Sequence, residues 1–544
     1  MPYIGQLAEI PAGKGTLVSD NNPNRSRHFD LIVAEGIVSE RGLWEKEPGA
    51  ALYQTLPVAP NALHDYWPTN ALQRLLALGV DGKVYRSTGG AFSALTMATT
   101  MADDVGQILS CGPFGPTQLL PTADSVRKAI VFDNGHSRIQ VISADGVVTT
   151  DLGGWNTSTN IPTDWATNFP RSGTFHKERL WCVAPANFPH NIYASALGTP
   201  ENFKNAVGGA FEYVQAIMAG VGQRLVTCVS FKGMLFAFKF PRGIAFLDDT
   251  DVDFLNWRWN PVTDAVGCAD SPHAVIVMDD DVLFVSPDGH LQFLSAVTQQ
   301  GVTSGDLTAA MNLQQWTRDH INLSRLGRLA SVWYPAKKVA MVGVSSSTST
   351  TNDLRLFLDV SGADKEGESV RLSYSYRDDN RAMAVRRDST LSGTQKPILG
   401  ETGGKVWMMD QDVKTKVGVP NASQARFQYV RTDFGHMGTE FANRRKLFDA
   451  LTVSFIPTGK WNLGVDTIID GDYHETLYFS MGHNAATFPL TFPITFAGSV
   501  ETQRRRMTGN GYWLSLAGYV SGEGQDFAIA EFIVNIRPGG EEQR

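Results

Sequence analysis

The sequence predicts an all-β protein: a β-propeller-like body with an N-terminal arm before it and a C-terminal antiparallel β-sandwich domain after it. Two observations carry this prediction. Between about residues 70 and 410, short apolar runs of β type are closed by turn dipeptides, the mark of repeated hairpins. Beyond about residue 430, apolar and polar residues alternate with period two, as in strands that bury one face.

Taken in order, residues 1–60 are rich in Pro, Gly, Asn and Ser around one apolar stretch at 29–38, and read as an arm with a strand that packs on the body or a neighbour. The body is placed at 61–428. Its hairpin tips are marked by Asp81-Gly82, Asp145-Gly146, Asp288-Gly289 and Gly403-Gly404. Asp-Gly supplies the positive φ angles of a type I′ turn, whose twist matches the flanking strands. Propeller blades bury both faces of each small sheet against their neighbours, which accounts for apolar runs that continue instead of alternating. A sandwich is the alternative architecture here. One segment breaks the β pattern: Ser304 and Asp306 stand before Leu307, Ala310, Met311, Gln314 and Trp316. An N-cap followed by an i, i+3, i+4 stripe predicts a single helix of about three or four turns within 304–323. From 429 to 544, Leu451, Val453 and Phe455 share a face, as do Leu463, Val465 and Thr467; Asp470-Gly471-Asp472 turns the chain, and 487–496, 511–520 and 527–536 continue the pattern.

Composition narrows the function. With 544 residues, 42% hydrophobic and 19% charged, the chain can build more than one packed core. Its 47 basic and 55 acidic residues give a net charge of -8, the opposite of a surface built to grip phosphate. A weakly acidic wall is compatible with DNA sliding past, since little counterion release holds it. Cys111, Cys182, Cys228 and Cys268 form no C-x-x-C or Cys/His pattern and are expected to be reduced and buried. The apolar runs at 274–278 and 282–285 fall well short of the roughly 20 residues of a membrane span. The N-terminus lacks a basic and then apolar leader, so folding in a cytoplasm is expected.

Acids, histidines and basic runs are the residues that could carry chemistry. Asp248, Asp249, Asp251 and Asp253, and Asp279-Asp280-Asp281, offer hard oxygen ligands but lack the Gly and distal Glu of an EF-hand loop, and read as solvated turns. Ser286-Pro287-Asp288-Gly289 and Ser143-Ala144-Asp145-Gly146 are faintly similar to the Asp-box of sialidase propellers, yet Gly follows Asp directly and the downstream Trp is missing. The sequence contains no G-x-S-x-G, Walker loop, Rossmann fingerprint or H-E-x-x-H. His176, His190 and His273 read as satisfied polar residues at strand ends. No catalytic residue, metal or cofactor is assigned, and the chain is expected to be non-enzymatic. The basic runs Asn443-Arg444-Arg445-Lys446 and Gln503-Arg504-Arg505-Arg506 suit solvated turns, DNA phosphates or acids of a neighbouring subunit, with subunit contact favoured over DNA because clinging would slow passage.

Several stretches together resemble the β-propeller tail proteins of tailed bacteriophages, including the nozzle or tail-tube proteins of short-tailed ones. Asp30 to Ile37, followed by Gly42-Leu43-Trp44-Glu45-Lys46-Glu47-Pro48-Gly49, looks like the opening of such proteins. More specific is Phe175-His176-Lys177-Glu178-Arg179-Leu180-Trp181 with Asn191-Ile192-Tyr193-Ala194-Ser195-Ala196-Leu197-Gly198-Thr199-Pro200-Glu201-Asn202-Phe203. Lys232 to Phe238, Val282 to Leu294, Tyr334 to Ala340 and Gly404 to Asp410 continue the order, so the likeness spans roughly residues 25 to 480. The resemblance implies a virion protein assembled in the bacterial cytoplasm: a ring of six copies below the portal and adaptor, contacting tail fibres and conducting the genome. Two alternatives stand beside it. One is a receptor- or glycan-binding fibre or spike module, with Trp155, Trp257 and Trp259 as stacking platforms; the other is a propeller glycosidase, which needs two carboxylates about 5 to 10 Å apart across a cleft.

Overall fold

The computed structural model describes residues 6–12, 16–19, 27–40, 43–69, 72–88, 90–111, 127–143, 146–157, 160–206, 209–210, 213–217, 220, 222–251, 253–295, 306–311, 313–361, 370–376, 379–387, 393–411, 425–437, 441–442, 444–482, 500–520 and 525–539. Within them, seven antiparallel units follow one another around an axis. Blade 1 spans 60–94, blade 2 107–151, blade 3 172–216, blade 4 224–263, blade 5 275–293, blade 6 330–376 and blade 7 382–411. The first strand of each blade packs against the first strands of the blades on either side, and blade 7 returns to blade 1, so the ring is closed. Six units are separate sheets, while blade 6 continues sideways into a larger one. The protein is therefore an all-β propeller with an attached sandwich.

The hairpins that drew the sequence reading form, with one correction. At Asp81-Gly82, Asp288-Gly289 and Gly403-Gly404 only the second residue has positive φ (74°, 77° and 77°). Each tip repeats one bond pattern: the Gly N–H donates three residues back, to Gly79, Ser286 or Glu401, and the N–H of that residue donates four residues on, to Lys83, His290 or Lys405. This is a type I turn with a glycine bulge, not type I′. Consecutive positive φ angles, which type I′ requires, occur instead at Lys177-Glu178, Lys232-Gly233 and Asp470-Gly471. The side-chain-free position is needed at Gly82, where a Cβ would lie 2.0 Å from the Met101 carbonyl oxygen. The tip at Asp145 lies outside the described residues, as does the strand expected at 487–496.

The helical segment is shorter than expected. Asp306 caps the first turn, its side chain accepting from Ala309 N–H, but Leu307–Ala310 and Gln314–His320 are two short helices rather than one. The break lets Leu313 and Trp316 both enter the core. Ser304 lies outside the described residues.

The N-terminal stretch, expected as an arm on the body or a neighbour, packs in its described residues as strands of the sandwich and of blade 7. Gln6–Pro11 and Leu43–Lys46 pair with Ala528–Pro538, and Leu31–Glu35 lies between Ala425–Tyr429 and Arg371–Tyr376 of blade 6. Gly49–Thr55 then pairs with Lys405–Gln411 as the fourth strand of blade 7. The sandwich has two sheets. One carries Glu501–Arg506, Lys446–Phe455, Ala528–Pro538 and the N-terminal strands; the other carries Ala425–Tyr429, Leu514–Val520, Asn462–Ile469 and Asp472–Ser480. Between them pack Leu451, Val453, Phe455, Leu463 and Val465, all fully buried, with Phe427, Phe527 and Phe532 in ring contact at 5.7–5.9 Å. Gly518 makes room for the Phe427 ring, whose Cζ lies 2.1 Å from where a Cβ would stand. The four cysteines are buried and unpaired.

The passage from sandwich to propeller is pinned by buried charge. Arg355 Nη1 bonds Glu47 Oε1 at 2.7 Å, with side chains 5% and 1% exposed, and Arg355 Nε also donates to Asn380 Oδ1. Removing one member of such a pair leaves the other charged and desolvated. Glu47→Ala is expected to destabilise the protein by about 3–5 kcal/mol, measured by urea unfolding; a loss near that of an exposed pair, under about 1 kcal/mol, would contradict this role.

Candidate functional site

In a propeller the segments that lead into the first strands all emerge at one end of the axis, and here they carry an unusual density of charge. Arg381 stands before blade 7, Asn61 opens blade 1, Asp103, Asp104 and Gly106 precede blade 2, Arg171 precedes blade 3, Arg224 opens blade 4, Asp270 and His273 precede blade 5, and Arg328 precedes blade 6. Arg381 donates to Asn61 Oδ1 and pairs with Asp103 at 2.9 Å. Arg171 pairs with Asp270 at 2.7 Å, and Arg224 binds the same carboxylate through both its Nε and Nη2. Asn134 and His136 bond Asp104 at 3.0 and 2.9 Å.

Two contacts cross the ring. His273 Nε2 donates to the Gly106 carbonyl at 2.8 Å, joining blade 5 to the lead-in of blade 2, three blades away. Arg328 approaches Asp104 at 3.7 Å and donates to the Asp103 carbonyl at 3.3 Å, joining blade 6 to the same lead-in. Burial lowers the His273 pKa, so its imidazole is neutral and Nε2 carries the proton that the carbonyl accepts. Asp104 is pushed up by burial, but Asn134, the Val105 N–H and His136 outweigh that and hold it below the usual carboxylate range. The result is a polar lock over the axis whose acids are already partnered. Such carboxylates have little capacity left for general acid or base work.

The residues singled out in the sequence fall elsewhere. Asp249 bonds His176 Nε2 at 3.0 Å and Lys177 Nζ at 2.6 Å; Asp251 accepts from Asp253 N–H and Asn256, and Asp253 caps Phe254–Asn256. Among the described residues no group of three His, Cys, Asp or Glu side chains could hold a metal ion. His176 Nδ1 bonds Ser230 Oγ at 2.8 Å, so Ser230, His176 and Asp249 form a chain of the same groups that serve in acyl transfer. Here the imidazole is buried at the join of the first strands of blades 3 and 4, and burial depresses its pKa against the pull of Asp249. The chain works as a clasp between blades. His190 precedes Asn191–Ala194 with a pKa lowered by burial, and its backbone carbonyl accepts from Ile217.

Trp155, Trp257 and Trp259 are not surface platforms. Trp155 stacks on Trp165 at 5.8 Å in the core, while Trp257 and Trp259 pack around buried Trp181 at 6.5 and 6.1 Å. Lys446 of the first basic run is also internal: fully buried, its ammonium caps the carbonyls of Arg444 and Tyr512, and burial lowers its pKa to about 8. Arg445 bonds Asn510, and Asn443 lies outside the described residues. Arg504, Arg505 and Arg506 do reach the surface, on the edge strand Glu501–Arg506. Asp279, Asp280 and Asp281 line a cavity of about 180 Å³ between blades 5 and 6. The axial lock was missed in the sequence. Its signal is the recurrence of Arg at or just before four first strands, which becomes readable only once the strands are assigned to blades.

No family model matches this chain, and no curated protein matches it. Among solved structures it is similar to BBS1N taken from a complex with ARL6DN, at a TM-score of 0.42 and 11% identity, covering 70% of this chain and 99% of that one. It is also similar to an exo-beta-1,3-galactanase from Phanerochaete chrysosporium solved with beta-1,3-galactotriose, at a TM-score of 0.26 and 10% identity, covering 90% and 99%. Among the described residues no helix is long and apolar enough to cross a membrane.

The buried histidines set the acid response. Burial holds His28 and His64 down to about 4 and lowers His176 and His273, whereas in the unfolded chain each titrates near ~6.5. From about pH 6.5 down to about 4 the unfolded chain binds protons that the folded chain does not, so these groups make stability fall as pH drops through that window. Thermal melts at about pH 7.5 and about pH 4.5 are expected to show a lower Tm at the acid end; an unchanged or higher Tm there would refute the assignment.

Proposed function

We propose that this chain is a structural component of a bacteriophage tail, a nozzle or tail-tube protein that assembles as a ring below the portal and adaptor and forms the channel for genome ejection. The observation that carries this reading is the axial lock. A propeller closed over its own axis by His273–Gly106 and Arg328–Asp104 has its working surface on the outside, as a wall element needs. DNA then passes between copies, not through a blade ring. The net charge of -8 suits a wall that does not hold phosphate, and the ordered likeness to phage propeller proteins supports the same role. In this reading the neighbours are further copies, and function is mechanical: a sealed bore that opens to pass DNA.

A second reading, a receptor- or glycan-binding module, is favoured by one surface. Tyr473, Tyr478 and Tyr519 stand out from one face of the sandwich at 64%, 56% and 42% exposure. Tyr478 and Tyr519 are both paired opposite Gly464. Flat aromatic faces of this kind suit stacking on sugars. Negative-stain microscopy of the purified protein and of virions separates the two readings: a six-fold ring on the tail axis is expected, and a trimer at fibre tips, with glycan-array binding lost in Tyr478→Ala, would overturn the nozzle assignment.

A further inference from the structure

The cavity between blades 5 and 6 opens at the end of the propeller opposite the axial lock, because its acids lie in the turn that follows a first strand. Asp279, Asp280 and Asp281 join Val275–Val277 to Val282–Val285; Phe293, Trp333 and Lys338 supply the rest of the wall that matters. Asp281 is spent on Ser295 and on Val282 N–H. Asp279 accepts from Trp333 Nε1 at 3.2 Å, which fixes the indole beside the carboxylate. Asp279 and Asp280 are exposed. Against three carboxylates stand Lys338 and Lys232, and Lys232 gives its ammonium to the Asp280 carbonyl at 2.9 Å, so the site keeps negative charge to spare.

An acidic cavity with an indole wall selects its occupant by chemistry. A bare metal ion would need converging ligands, and the described residues form no such group. A neutral sugar gains nothing from the charge. A guanidinium on an apolar stem satisfies both features, since it bonds carboxylates in a fork and packs flat on an aromatic face.

The same chain carries that partner on its other domain. Arg504 and Arg506 lie two apart on the edge strand Glu501–Arg506, so both point to one face, about 7 Å from each other. Both are exposed and form no ion pair among the described residues, whereas Arg505 is engaged with the Tyr478 carbonyl. We propose that Arg504 and Arg506 of one copy dock into the Asp279–Asp280 cavity of the next, making a head-to-tail contact between sandwich and propeller. Because the two surfaces differ, the contact is heterologous, and repeated copies either close into a ring or extend as a chain. This deepens the tail reading by naming a contact that would build its ring, and it rests on that reading only for the biological setting.

The test is reciprocal charge reversal in the full-length chain, read by sedimentation velocity with circular dichroism to confirm folding. Arg504→Glu with Arg506→Glu, and separately Asp279→Arg with Asp280→Arg, are each expected to raise the dissociation constant of the assembly at least tenfold. Combining the four substitutions is expected to restore it, and raising salt should weaken the unsubstituted assembly. A monomeric unsubstituted chain, assembly unaffected by either folded variant, or no recovery in the combined variant would overturn the contact. So would loss of binding to a DNA duplex in the arginine variant with assembly intact, which would assign the arginines to nucleic acid instead. Assembly that obeys the reversal while virions show no such ring on the tail axis would leave the contact standing and remove the tail reading.

Discussion

The closed ring depends on one long-range pairing. Blade 7 supplies only three strands from its own stretch of chain, and its fourth, Gly49–Thr55, comes from near the N-terminus to pair with Lys405–Gln411. A propeller is a circle of sheets with no covalent bond between last and first, so a strand from the other end of the chain is what stops the ring from opening. Immediately before that strand, the chain has already threaded the sandwich through Leu31–Glu35, Ile37–Glu40 and Leu43–Lys46. Propeller and sandwich are thereby stitched together by this segment. Glu47 sits at the crossing, and its buried pairing with Arg355 fixes where the chain leaves one sheet and joins the other.

Buried cations do related work elsewhere. Lys46, Lys239 and Lys446 are each fully buried, and their ammonium groups cap carbonyl oxygens of Gln525, Ile217 and Tyr512 among others. Burial lowers Lys239 and Lys446 to about 8, yet the bonds to carbonyl oxygens keep these groups useful as donors where irregular chain would otherwise leave acceptors bare. Arg371 joins Asp359 and Ser39 in the same way, tying blade 6 to the N-terminal strands. Charge inside this protein mostly closes joints between elements.

That use of charge shapes the functional reading. The acids and bases at the axial end are committed to one another across the ring, so the propeller presents a locked end, an acidic cavity at the opposite end, and a basic strand edge on the sandwich. Surfaces of unlike charge on two domains of one chain are the raw material of repetitive assembly. For the proposed tail role, the bore lies between copies, and each copy contributes wall rather than pore.

Local chemistry was legible. Apolar runs, glycine tips at Asp81-Gly82, Asp288-Gly289 and Gly403-Gly404, and the alternation of Leu451, Val453 and Phe455 mark hairpins and faces because turn geometry and strand period act over a few residues. Even there, the turn type depended on hydrogen bonds that Gly79, Ser286 and Glu401 make at the tips, which the dipeptide alone does not specify. The tryptophans misled because a large aromatic serves a core as readily as a platform, and only packing around Trp165 and Trp181 distinguishes them. By itself the sequence determined that the chain is β, that it repeats hairpins and that it ends in an alternating sandwich. Only the tertiary structure decided that Gly49–Thr55 closes the ring and that His273 meets Gly106 over the axis, since those partners lie 167 or more residues apart and no local pattern encodes which distant segment will complete a sheet or a lock.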